Sequence, residues 1–316
     1  MTRIIVTGGY GFIGAHFVSH VLDKTDWHVT VMDWSRHYAC DATKFQRYGW
    51  NDRVSFIDSD LRKLAPCQKA DYLVSFASES HVDRSIERPE DFIMSNVMIG
   101  LNVLEAARRV KPKRMILIST DEVLGATPSA AFTEDQRINP SNPYASSKAA
   151  QEAMAASYRM TYDVPVICTR CTNNFGADQD GEKFLPIVVN RIMEGKPVIV
   201  HGQQVDGEWH GGSRYWLHVR SHADAILHLI RHEGDVPQVV HVPGQQELTN
   251  LEVVHKAAEI MEKTPIVEWQ DFHAARPGHD RRYALDGSRL MALGWKFPTE
   301  FEADFRQTVL ALAKGK

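Results

Sequence analysis

Short apolar runs alternate with longer amphipathic ones through the first half of the chain. Arg3–Thr7, His28–Met32, Val54–Ile57, Tyr72–Ala77 and Met115–Ser119 are rich in β-branched and aliphatic residues, the pattern of strands buried in a parallel sheet. Between them, Phe12–Leu22 and Phe92–Arg109 carry apolar residues at helical spacing; Val97, Leu101 and Leu104 fall on one face of the second. The Ala-rich Tyr144–Tyr162 predicts a further helix, and Val164–Thr169 the strand after it. This alternation predicts an α/β fold, a doubly wound parallel sheet of the Rossmann type. Right-handed crossovers then bring the C-terminal ends of all strands to one rim.

After about Asn173 the rhythm breaks, and helices at Pro186–Glu194 and Leu251–Met261 are separated by long loops. The expectation is a first domain over residues 1–172, with a returning segment near 214–242, and a smaller, irregular C-terminal lobe over 173–316. There is no internal repeat and no low-complexity tract.

Hydrophobic residues at 43% and charged residues at 24% fit a folded globular chain. The net charge is 36 − 40 = −4, which argues against nucleic acid as a partner. No stretch of about 18 apolar residues is present to span a membrane. Gly8, Gly9, Gly11 and Gly14 interrupt the first apolar run, so no signal peptide is read there. The expectation is a soluble, cytoplasmic protein. The cysteines Cys40, Cys67, Cys168 and Cys171 are too few for a disulfide framework and are read as free thiols. Cys168–Cys171 has CxxC spacing but sits in a strand with no second pair. His16/His20 and His228/His232 are four apart without an acid partner, so no metal site is expected.

Candidate chemistry starts at Thr7-Gly8-Gly9-Tyr10-Gly11-Phe12-Ile13-Gly14, which links the first strand to the first helix. Glycines 8, 11 and 14 allow a tight turn and let backbone N–H groups approach a pyrophosphate at the positive helix end. Asp33, ending the second strand, suits the adenosine ribose hydroxyls and would repel a 2′-phosphate. NAD is therefore expected over NADP, with Arg36 close enough to keep the second open. Asp60 and Leu61, past the third strand, are candidates for the adenine edge.

Tyr144-Ala-Ser-Ser-Lys148 is a YxxxK motif at a helix start. Residues four apart share a helical face, so Lys148, together with a positive nicotinamide, is expected to lower the Tyr144 pKa toward working pH. Thr120, ending the strand before it, supplies a third hydroxyl.

These glycines, with Thr120, Tyr144 and Lys148, resemble the extended short-chain dehydrogenase/reductase family. Ser119-Thr120-Asp121-Glu122-Val123 resembles the signature of its dTDP-glucose 4,6-dehydratases. Ala77–Ile86, Asn173-Asn174-Phe-Gly, Glu182-Lys183 with Pro186, Thr249-Asn250-Leu-Glu and Arg276–Tyr283 follow in family order. The resemblance implies an NAD-dependent lyase that converts an NDP-glucose to the 4-keto-6-deoxy sugar. C4 is oxidised, water leaves C5–C6, and hydride returns to C6. Thr120, Tyr144 and Lys148 would serve the oxidation, Glu122 would take the C5 proton, and Asp121 would protonate the departing C6 hydroxyl. Asp121 must then carry a raised pKa. The resemblance also puts Phe76, Ala77, Ser78, Ser95 and Asn174 on the cofactor. Ser80 and Thr120 would lie on the sugar, and Asn173, Glu182, Lys183, Pro186, Arg214, Asn250, Arg276 and His279 around the rest of the nucleotide sugar. A homodimer through helices Phe92–Arg109 and Tyr144–Tyr162 is implied. An NDP-sugar epimerase or decarboxylase, which lacks need of the acidic pair, and a non-catalytic NAD-bound regulator are the alternatives.

Three stretches depart from the family. Val123-Leu124-Gly125 has Leu124 where the family places a tyrosine, expected to widen or dry the sugar pocket. Gln204–Ser213 reads as a lengthened Gly-rich loop whose Trp209 and His210 either reach the substrate or form a surface flap. The segment after Asp33 (Trp34-Ser-Arg-His-Tyr38-Ala) is spaced differently. Phe184 and Trp216 are read as core rather than base-stacking residues.

Overall fold

The computed structural model describes residues 1–37, 43–63, 68–127, 129–272 and 280–315, without the side chains at 44 and 45. Cys40 and Cys67 lie outside these residues. The chain runs β1 (Arg3–Thr7), α1 (Phe12–Lys24), β2 (His28–Asp33), the single turn α2 (Lys44–Arg47), β3 (Val54–Asp58) and β4 (Tyr72–Ser75). Short α3 (Val82–Glu87) leads into α4 (Pro89–Val110), β5 (Arg114–Thr120), a 3-10 turn at Asp121–Leu124, α5 (Pro143–Tyr162) and β6 (Val166–Cys171). Next come β7 (Asn173–Phe175), α6 (Phe184–Met193), β8 (Val198–Val205), β9 (Glu208–Gly211) and β10 (Ser213–His218). The remainder is α7 (Val219–Arg231), β11 (Val239–Val242), β12 (Gln246–Thr249), α8 (Asn250–Ile260), β13 (Val267–Asp271), β14 (Arg282–Tyr283) and helices Ser288–Ala292 and Phe301–Lys314.

Seven strands form the main sheet in the order β11-β6-β5-β4-β1-β2-β3, every neighbour pair parallel. Alternation along each strand builds a core on either face. Ile4 and Val6 meet Phe17, Val18, Ile226 and Ile230 of α1 and α7. Ile5 meets Val103, Leu104 and Ala155 of α4 and α5 on the other side. The same alternation sends Cys168 to one core and Cys171 to the opposite one. β6 starts at Val166, two residues later than expected, because Pro165 has no N–H to give; its carbonyl accepts from Met115 N at 2.9 Å. Strand order reverses between β1 and β4, the switch point where ligands enter such sheets.

The rest of the chain packs around Phe175, Val188, Val189, Trp216, Val253 and Phe305. β10 pairs with β7, β12 and β14, so only α7 and β11 of the 214–242 segment rejoin the main sheet. The expected loop at Gln204–Ser213 is instead a hairpin: β8 continues to Val205 and turns at Asp206 and Gly207 into β9. Both turn residues have positive φ, 52° and 84°, as a two-residue hairpin turn requires. Among the described residues, no helix is long and apolar enough to cross a membrane.

Candidate active site

The first site element is the glycine loop between β1 and α1. Gly8 has φ +72°, and a Cβ there would lie 2.6 Å from the Ala77 nitrogen; one on Gly14 would lie 2.2 Å from the Gly8 carbonyl oxygen. Only glycine permits so close a fold. The N-cap of α1, Gly11, has no capping side chain and the first turn holds no acid. The first-turn N–H groups, which have no intrahelical acceptor, therefore suit a phosphate. Asp33 at the end of β2 accepts from Tyr10 N at 3.0 Å and Trp34 N at 2.9 Å.

Two cavities open along this rim and share Gly8, Gly11, His37, Phe76 and Ser78. The larger, about 500 Å³, runs from Phe12, Ile13 and Gly14 to Tyr144, Lys148 and Asn174. The smaller, about 100 Å³, is walled by Asp33, Asp60, Leu61, Ala77 and Ser95. Every residue expected at the cofactor thus lines one or the other. Sequence reasoning missed Trp34, His37, Arg62 and Glu79, which also wall the smaller cavity. Arg62 pairs with Asp60 at 2.8 Å, and its guanidinium lies 4.7 Å from the centre of the Trp34 ring. Their signal was position, since all four follow a strand's C-terminal end.

At the far end of the larger cavity, Thr120 closes β5 and caps the 3-10 turn, accepting from Glu122 N at 3.3 Å. Its hydroxyl donates to Asp121 Oδ1 at 3.1 Å and is hydrogen-bonded to the Tyr144 phenol. Asp121 is 3% exposed, and its Oδ2 has no partner. Burial first, then the neighbouring Glu122 charge, pushes Asp121 up to about 7. Burial also raises Glu122 above the usual carboxylate value. Asn142 does two jobs here: its Oδ1 caps α5, and its Nδ2 donates to Glu122 Oε2 at 3.1 Å.

The protein's own groups do not lower the Tyr144 phenol. Burial, then Glu122, Cys171 and Asp121, push the phenol well above its ordinary value. Lys148 Nζ donates to Gln151 Oε1, so its charge is spent on the helix rather than on the phenol. Burial lowers Lys148 to about 8, opposed by the Glu152 charge.

Ser80, Asn173, Glu182 and Lys183 line the same cavity. Lys183 Nζ donates to the Ser80 carbonyl at 3.0 Å. Glu182 is held by Arg84 at 2.5 Å and by His81 Nε2 at 3.5 Å. Three further candidates do not line this cavity. Pro186 is on the buried face of α6, with Leu185 next to it on the cavity wall. Asn250 begins α8, its N–H bonded to the Gly212 carbonyl at 3.0 Å, outside the cavity walls. Arg214 Nη1 donates to the carbonyls of Ser213 and Arg281 at 2.7 Å, and its guanidinium lies 4.4 Å from the Tyr283 ring centre. Its charge nevertheless reaches Asp121 and Glu122 and opposes their rise. Arg276 and His279 lie outside the described residues.

Leu124 is 2% exposed, packs with Val123 and Leu285, and is not among the residues lining the cavity. Trp216 is core, as expected, and Phe184 packs beside it with ring centres 6.4 Å apart; both also wall the cavity.

Residues 4–242 match the NAD dependent epimerase/dehydratase family. The chain belongs to that family. NAD is its cofactor, and the glycine loop, the uncapped α1 and Asp33 fit it. A Haloferax volcanii relative, "Low-salt glycan biosynthesis protein Agl12", is 37% identical over 303 residues, covering 95% of this chain and 94% of that one. The dTDP-glucose 4,6-dehydratase of Streptomyces niveus is 37% identical over 319 residues, covering 97% and 91%. Among solved structures, the dTDP-glucose 4,6-dehydratase of Streptomyces venezuelae with NAD and TYD bound superposes with a TM-score of 0.89 at 33% identity, covering 99% and 98%. The Thermus thermophilus UDP-glucose 4-epimerase complex with NAD gives 0.87 at 27% identity, covering 100% of each chain. This epimerase/dehydratase is thus dehydratase-like along its whole length, with the doubly wound sheet common to these structures.

Proposed function

We propose that this family member is a nucleotide-hexose 4,6-dehydratase and that dTDP-glucose is its substrate. One observation carries the reading: two adjacent carboxyl groups, Asp121 and Glu122, sit beside Tyr144 and Thr120, with Asp121 raised to about 7. Oxidation and reduction at one carbon need no such pair, whereas removing water across C5–C6 needs both an acid and a base. NAD, held by the glycine loop, the first turn of α1 and Asp33, would supply the hydride acceptor for C4 and the hydride donor for C6. Tyr144, raised by burial in the protein alone, would be lowered by the positive nicotinamide beside it, and its phenolate, bonded to Thr120, takes the C4 hydroxyl proton. The C4 ketone acidifies C5–H, and Glu122 removes that proton. Asp121, partly protonated near neutrality, gives a proton to the C6 oxygen, which leaves as water. Lys183 and Asn173, from the 173–316 lobe, hold the substrate opposite residues 1–172. Two copies pair through α4 and α5, whose Met94 and Met160 are 57% and 81% exposed; light scattering reads the dimer directly.

The test is incubation with dTDP-, UDP-, GDP- and CDP-glucose. A 4-keto-6-deoxy product, detected by its chromophore in alkali, should form from dTDP-glucose without accumulation of NADH. An isomerised sugar in its place would mean an epimerase, and no turnover with any of the four would defeat the reading.

A further inference from the structure

The cofactor crevice is bridged by a hydrogen-bonded pair that neither the family likeness nor the elimination chemistry uses. His37 lies beyond the end of β2, and Glu79 beyond the end of β4. These strands flank β1 on either side in the sheet, so the glycine loop lies between the two residues. His37 Nε2 and Glu79 Oε1 are 2.7 Å apart, with 25% and 18% of their side chains exposed. His37 walls both cavities and Glu79 the smaller one, which puts the pair where the two cavities join.

The two arms differ in support. The Glu79 backbone is fixed at both ends by Asn96, a fully buried side chain: Glu79 N donates to Oδ1 at 2.7 Å, and Nδ2 donates to the Glu79 carbonyl at 3.0 Å. Asn96 Nδ2 also donates to Ser147 Oγ at 2.8 Å, and that hydroxyl donates to the Tyr144 carbonyl at 2.7 Å. Glu79 therefore stands on a platform tied to α5. His37 is held by a turn, its N–H bonded to the Trp34 carbonyl at 2.8 Å.

We propose that His37 and Glu79 form a latch that retains the dinucleotide in its crevice. A dinucleotide reaching from the smaller cavity to the larger passes this junction, and leaving requires the pair to part. Retention suits a reaction that regenerates its own cofactor, and to that extent the purpose rests on the dehydratase reading. The latch itself rests only on NAD binding.

The experiment loads the full chain with radiolabelled NAD, chases with unlabelled NAD, and follows release without any sugar. His37→Gln and Glu79→Gln should each speed release about tenfold, the scale of one hydrogen bond to a charged group. The double variant should be no faster than either single variant, because one interaction is lost once. His37→Arg, which keeps an N–H donor facing Glu79, should restore slow release. Unchanged release in the single variants, multiplied effects in the double, or an Arg variant as fast as the Gln variant would overturn the latch. A chain that retains NAD through this pair yet dehydrates no sugar would refute the dehydratase reading alone.

Discussion

Glu152 and Arg170 meet at 2.8 Å inside the protein, with 5% and 4% of their side chains exposed. Glu152 also accepts the Ser119 hydroxyl and supports the charge of Lys148, one helical turn away. Removing either partner strands a buried charge. Arg170→Met should cost about 3–5 kcal/mol in urea unfolding, and adding Glu152→Gln should recover part of the loss. A loss below about 1 kcal/mol would put the pair among ordinary surface contacts.

Asp121 links stability to pH in the direction opposite to most carboxylates. Its folded pKa of about 7 lies above the ordinary 3.8, with burial the largest cause. Between those values the folded chain binds more protons than the unfolded one, so stability falls as pH rises through that window. Three units correspond to at most about 4 kcal/mol. Asp121→Asn, a neutral isostere, should unfold at a higher temperature than wild type at pH 8 and lose that advantage near pH 4, while dehydration falls. Equal melting-temperature differences at both pH values would remove the raised pKa from the account.

The reactive groups should separate by step. Glu122→Gln should keep C4 oxidation but lose exchange of the C5 hydrogen with deuterated solvent, by about 10²–10⁴-fold. Tyr144→Phe should slow oxidation itself, read as the rate of NADH appearance in a single turnover. Dehydration by the Gln variant at near wild-type rate would strip Glu122 of its role as base.

Much of this was legible from sequence because it follows from local pattern. Ile4 to Val6 alternate between the two cores, and the glycine spacing marks the β1–α1 turn. The adjacent acids at 121 and 122 are the pair on which the elimination reading rests. What was missed depended on neighbours far along the chain. Lys148 turns to Gln151, and Arg214 is absorbed by carbonyls near 281; neither follows from motif spacing. His37 and Glu79 become partners only when β2 and β4 take their places beside β1. The β8–β9 hairpin was a different failure, since Asp206-Gly207 is itself a turn signal and the surrounding glycines masked it as loop.

That hairpin supplies a further prediction. Trp209 on β9 stacks on Trp269 of β13, with ring centres 5.6 Å apart and planes 6° from parallel. Both strands flank β8 in a three-stranded sheet, and neither tryptophan walls the active-site cavities. Gly202 on β8 makes room for the stack, since a Cβ there would lie 2.7 Å from the Trp269 ring. The aromatic contact should therefore serve the fold and not the substrate. Trp209→Ala should cost about 0.5–1.5 kcal/mol beyond the apolar area lost, measured by urea unfolding, and leave kcat/KM for the nucleotide sugar unchanged. A fall in kcat/KM with stability intact would mean that the hairpin reaches the bound sugar after all.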